Sequence, residues 1–139
     1  MFKVYMYVTK SSGGNGMICG SFYCNGYDSI CFGLNRDEYF KNILSECCLT
    51  EEDLYKYAKY QICKSWKIIH PVLFTKPVNV PLGVNIPMSW TYLPDGSVLL
   101  SIRLKWFNLI VNGIKKRELR KSFPMNYSER KEKKNEKIC

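Results

Sequence analysis

Near its C-terminal end the chain carries Gly113-Ile114-Lys115-Lys116-Arg117-Glu118-Leu119-Arg120, the spacing G-x-K-x-x-E-x-R. These residue types bind anions and read polar edges. A lysine ammonium supplies a point charge to a phosphate, and an arginine guanidinium forks onto a phosphate or a base edge. A glutamate beside them accepts from a base amino group or orients the arginine. Ser89 and Trp90, in the run Pro87-Met88-Ser89-Trp90-Thr91-Tyr92, are further candidates for ligand contact. Trp66, Trp90 and Trp106 offer aromatic faces, and a base stacked on such a face gains ~1–3 kcal/mol. Each feature also has an ordinary structural reading. Glu118 and Arg120, two apart, can be a surface pair contributing only ~0.2–1 kcal/mol. Tryptophans more often pack; Trp66 and Trp106 are assigned here to the core, with Trp90 left open.

The elements that must position these groups are legible from hydrophobic period and turn chemistry. Residues 2–9 alternate, with Phe2, Val4, Met6 and Val8 on one face, so a strand begins the chain. SSGGNG at 11–16 is a loop, and residues 17–24 resume an extended apolar pattern. Asn35 with Glu38 starts one predicted helix carrying Tyr39, Phe40, Ile43 and Leu44. Thr50 with Asp53 forms a capping box for a second helix running through LYKYAKY, flanked by a possible staple of Leu49 and Leu54. Residues 66–74 are strand-like, but Pro71 cannot donate to a ladder and implies an edge or a bulge. Pro77, Pro81 and Pro87 punctuate a loop before a short strand at 88–93, and PDGS at 94–97 is a turn. VLLSIR then reads as a buried strand and LKWFNLIVN as a short helix, with Gly113 where a left-handed cap is wanted. If KKRELRK is extended, Lys116, Glu118 and Arg120 share one face, and Arg117, Leu119 and Lys121 the other.

At 139 residues and 46% hydrophobic content the chain suits one domain. No run approaches the ~18 apolar residues of a spanning helix, and the N-terminal alternation does not resemble a signal peptide. Seven cysteines, an odd number without an export signal, point to reduced thiols. With no C-x-x-C pair and His70 the single histidine, no metal site is expected. His70, beside Pro71, reads as structural or exposed rather than catalytic. Charge is uneven: residues 1–97 hold nine Lys/Arg against eight Asp/Glu, residues 98–139 twelve against four. Such a basic segment attracts polyanions by counterion release, although lysine-rich ends also occur as plain solvated tails.

Three blocks, FKVYMYVTKSSGGNGMICGSFYC, LTEEDLYKYAK with WKIIHPVLFTKP, and IPMSWTYL, resemble the middle and C-terminal parts of ASCH domains of the PUA-like superfamily. They cover residues 1–93, whereas 98–122 resembles that family's N-terminal third. The order implied is a circular permutation, with the family's old ends joined through residues 94–97 and residues 123–139 left as a flexible basic tail. The resemblance implies an α+β fold, a small mixed β-barrel with short flanking helices, spanning residues 1–122. It also implies a cleft beside the Gly-x-Lys turn that takes RNA or a modified nucleotide, with Gly113, Lys115, Lys116, Glu118, Arg120, Ser89 and Trp90 around it. No cofactor, metal or membrane is implied; a protein partner is possible, and the expected compartment is the cytoplasm, that of the host for a phage protein. Two alternatives stand beside binding. One is a phage-type protein-binding effector, the other a hydrolase of modified nucleosides similar to acetylcytidine amidohydrolases. Lys115 matches the latter's lysine, but Glu118 occupies its threonine-like position and a second acid is not identifiable. Met88 also departs from the resembling strand, which usually has a polar residue there.

Overall fold

Alternation along residues 2–8 buries Val4, Met6 and Val8 to 1% exposure or less, and this builds the central strand of a six-stranded sheet. The computed structural model of the chain describes residues 1–34 and 37–124. Its strands are β1 (Phe2–Val8), β2 (Met17–Ile30), β3 (Cys63–Val78), β4 (Trp90–Tyr92), β5 (Val98–Ile102) and β6 (Arg117–Arg120). Three short helices, α1 (Glu38–Glu46), α2 (Glu51–Ala58) and α3 (Leu104–Val111), complete an α+β fold. The sheet runs β4-β5-β1-β2-β3-β6 and is mixed, because β5 lies parallel to β1 while every other pairing is antiparallel. No helix among the described residues is long and apolar enough to cross a membrane.

The sheet curls into a half-barrel. This is barrel-like, as expected, but among the described residues its edge strands β4 and β6 do not pair through the backbone. Side chains span the gap instead. Arg120 Nη1 on β6 donates to Ser89 Oγ at 3.1 Å, and Trp90 Nε1 on β4 donates to Ser122 Oγ at 2.9 Å.

Two local features bend the strands, and a third sets the turn into β6. His70 takes a left-handed φ of +51°, and the β2–β3 register shifts between Ser21↔Val72 and Tyr23↔Ile69. His70 and Pro71 therefore form the bulge that the proline implied, with His70 exposed. Gly20 lies where β3 crosses closest. A Cβ built there would sit 2.5 Å from the Val72 carbonyl oxygen and 3.1 Å from the Phe107 ring. Gly20→Ala is accordingly expected to destabilise the fold by ~1–3 kcal/mol through overpacking, read as a lower urea midpoint at unchanged slope. Gly113, at φ +75°, ends α3 in the left-handed conformation expected of it.

The helices follow their caps. Asp37 Oδ1 accepts from Phe40 N at 2.9 Å, so α1 begins after Asp37; the Asn35 start lies outside the described residues. At α2 both halves of the capping box form: Asp53 N donates to Thr50 Oγ1 at 3.1 Å, and Thr50 N to Asp53 Oδ2 at 2.9 Å. That helix stops at Ala58, short of Tyr60, as Lys59 turns to φ +50°.

Trp66, fully buried, anchors the main core. Phe123 meets it edge-on at 5.5 Å, touches Phe2 at 5.5 Å, and is followed by the buried Pro124. The fold thus continues to residue 124, which corrects a tail boundary at 123; residues 125–139 lie outside the described residues. The six cysteines among the described residues are free thiols.

Candidate functional site

The turn after α3 directs the lysine of the motif inward. Ile114 N and Lys115 N both donate to Leu109 O, at 2.9 and 3.0 Å, and Lys116 N donates to Glu46 O at 2.8 Å. This sends Lys115 under the sheet and leaves Lys116 exposed. Lys115 is 2% exposed. Its Nζ donates to the Cys47 carbonyl, lies 3.4 Å from Glu118 Oε1, and sits 4.7 Å from the centre of the Trp106 ring. A lysine has three N–H donors, and these three neighbours account for them.

β6 alternates, so Glu118 and Arg120 point to the same side. Glu118 Oε1 also accepts from Leu119 N at 3.2 Å, while Oε2 accepts from Arg120 Nη2 at 3.1 Å. Arg120 Nη2 donates as well to Ser101 O at 2.9 Å, and Nη1 to Ser89 Oγ. Ser89 is itself held by β5, where Ser101 N donates to its carbonyl at 2.9 Å and Ser101 Oγ to Pro87 O at 2.7 Å. Burial on its own would raise the Glu118 carboxyl. The Arg120 and Lys115 charges outweigh it and hold that carboxyl below the usual range.

These groups floor a cleft of about 760 Å³, lined among others by Met88, Ser89, Trp106, Lys115, Glu118 and Arg120. That volume falls in the range of small-molecule sites, ~300–1,000 Å³. Four cations in the lining, Lys56, Arg103, Lys115 and Arg120, face two anions, Asp53 and Glu118. Cys47, whose carbonyl holds Lys115, offers no thiolate, since burial pushes its thiol up to about 12.

The sequence-predicted residues thus divide. Ser89, Lys115, Glu118 and Arg120 come together, whereas Gly113 shapes the turn without lining the cleft. Lys116 is exposed and does not share the face of Glu118 and Arg120, because β6 begins only at Arg117. Trp90 packs edge-on against Trp66 at 6.0 Å and Tyr92 at 5.3 Å, which answers the question its sequence left open. Trp106 packs against the main core, half-buried, and also forms part of the cleft wall.

Sequence reasoning missed Lys56 and Tyr57, which reach the cleft from α2, and Arg103, which reaches it from the residue before α3. It also missed the far side of β6. There Arg117 Nη1 meets Asp28 Oδ2 at 2.6 Å and Nε meets Glu46 Oε2 at 2.9 Å. The basic charge, too, belongs mainly to the described residues. Residues 98–124 hold seven Lys/Arg against one Asp/Glu, for +6, and residues 125–139 five against three, for +2. No protein-family model matches the chain, and no curated protein or solved structure does.

Proposed function

We propose that this chain is a nucleotide- or RNA-binding module of the ASCH, PUA-like type, circularly permuted, which holds its ligand in the cleft above Lys115, Glu118 and Arg120. The observation that carries the reading is the cleft itself, with its charged floor fixed by buried hydrogen bonds, its excess of cations and its half-buried indole. A concave site with a few convergent polar groups and an aromatic wall suits a heterocycle attached to an anion.

Two contacts support the permuted order. β5 pairs in parallel with β1 and β6 pairs with β3, so residues 98–120 are integral to the sheet. Phe2 touches Phe123, so the two segments that a permutation separates lie side by side. The hydrolase alternative needs Lys115 to take up a proton. Its Nζ instead donates to Cys47 O and pairs with Glu118, which favours binding over that chemistry.

The test is equilibrium binding of short oligoribonucleotides and a panel of nucleotides to the full chain at two salt concentrations. Trp106→Leu is expected to lose ~1–3 kcal/mol of affinity. Removal of residues 125–139 is expected to leave most of the affinity intact. Affinity unchanged in Trp106→Leu and abolished by the truncation would show attraction to the tail alone and overturn the cleft reading.

A further inference from the structure

The motif invites the view that Lys115 and Arg120 grip the ligand's phosphate. Their hydrogen bonds argue otherwise. Lys115 is committed to Cys47 O, Glu118 and the Trp106 ring, and both terminal nitrogens of Arg120 are committed to Ser89, Ser101 and Glu118. A phosphate drawn to either would strip a buried carboxylate or carbonyl of its partner, which is unfavourable.

The free capacity at the floor is of another kind. Glu118 Oε2 accepts from Arg120 Nη2 and retains a lone pair. Ser89 Oγ accepts from Arg120 Nη1 and keeps its own proton to give. One guanidinium therefore fixes an acceptor and a donor side by side at the bottom of the cleft. That pair complements a heterocycle edge on which an exocyclic amino group stands next to a ring nitrogen acceptor.

Three exposed cations stand near these groups: Lys56, which lines the cleft but pairs with Glu52 at 3.1 Å, Arg103 and Lys105. Arg103 lines the cleft and is exposed, and Lys105, two residues on, is exposed with Nζ 4.6 Å over the Trp106 ring. Both Lys105 and the buried Lys115 sit against that indole, but only Lys105 can leave it cheaply. A base arriving on Trp106 would displace Lys105 and free its ammonium for an anion at the rim.

From this arrangement we infer that the cleft takes an amino-bearing nucleotide base-first, with the amino group on Glu118, the ring acceptor on Ser89 and the phosphate on Arg103 and Lys105 at the rim. The inference rests on the proposed nucleotide-binding reading and goes beyond it in assigning phosphate and base to different residues.

Calorimetric titration of the full chain with the 5′-monophosphates of adenosine, cytidine, uridine and inosine, and with the four parent nucleosides, tests it. The adenosine and cytidine nucleotides are expected to bind about tenfold tighter than those of inosine and uridine, whose carbonyl would face the Glu118 carboxylate. Arg103→Ala and Lys105→Ala, both on the surface and compatible with folding, are expected to weaken nucleotide binding about tenfold each without weakening nucleoside binding. Nucleotide binding that survives both substitutions, or that prefers uridine and inosine, overturns this inference while the cleft reading stands. Failure of every nucleotide and nucleoside to bind overturns this inference, and failure of the oligoribonucleotides as well overturns both.

Discussion

Lys115→Met is expected to lower folding stability by ~3–5 kcal/mol, because it leaves the Glu118 carboxylate buried beside one cation instead of two. The side chains of Lys115 and Glu118 are 1% and 6% exposed, so water cannot replace the missing partner. Glu118→Gln is expected to destabilise as well, by stranding two cations. The double variant should cost less than the sum of the two, with a coupling of ~0.5–3 kcal/mol in a double-mutant cycle from urea unfolding. Acidity supplies an independent readout. Arg120 and Lys115 hold the Glu118 carboxyl below its usual range, against the effect of burial. The folded chain therefore binds that proton less readily than the unfolded chain. Its contribution to stability is present above the unfolded value of ~4.3 and is lost as the pH falls through the lower folded value. The wild type should lose more stability than Glu118→Gln between about pH 5 and pH 3. A cost below ~1 kcal/mol for Lys115→Met, with an unaltered acid profile, would mean that the pair is solvated and not a buried ion pair.

Arg120→Ala is expected to cost ~3–5 kcal/mol and to open the half-barrel on its unpaired side. The guanidinium joins three elements at once: Ser89 before β4, the Ser101 carbonyl of β5, and Glu118 of its own strand. A planar fork is needed for this, since one ammonium cannot reach all three acceptors. Arg120→Lys should therefore keep the charge and lose a large part of the stability. Hydrogen exchange separates this bridging role from general damage. Amides of β4, whose edge is held by Arg120 and by the Trp90–Ser122 bond, should exchange faster, while those of β1 and β2 keep their relative protection. Uniform loss of protection across all six strands would contradict the bridging role.

Much of the fold was legible in the chain because its signals are local. The period of two over residues 2–8, the capping box of Thr50 and Asp53, the glycine after α3 and the proline at the β3 bulge each act within a few residues. Where the pattern was blurred, element limits moved: β2 runs on to Ile30, and β3 covers Cys63–Val78 straight through Pro71. Phe123 and Pro124 were assigned to the tail because the basic run that follows them dominates the composition. The packing of Phe123 against Trp66 depends on a residue 57 positions away.

The sequence by itself determined the α+β class, the short helices, the place of the turn at Gly113, and the residue types Lys115, Glu118 and Arg120 as chemically suited to one site. Only the tertiary structure decided how those charges are used. The carbonyl that holds Lys115 belongs to Cys47, 68 residues away, and the serines that engage Arg120 lie 31 and 19 residues before it. No local period encodes such distances. A two-residue spacing describes a solvated pair and a buried one equally well, and the choice between them depends on whether distant backbone excludes water and supplies the remaining hydrogen bonds. Here it does both. The motif's buried cations are spent on Glu118 and on the Cys47, Ser89 and Ser101 oxygens.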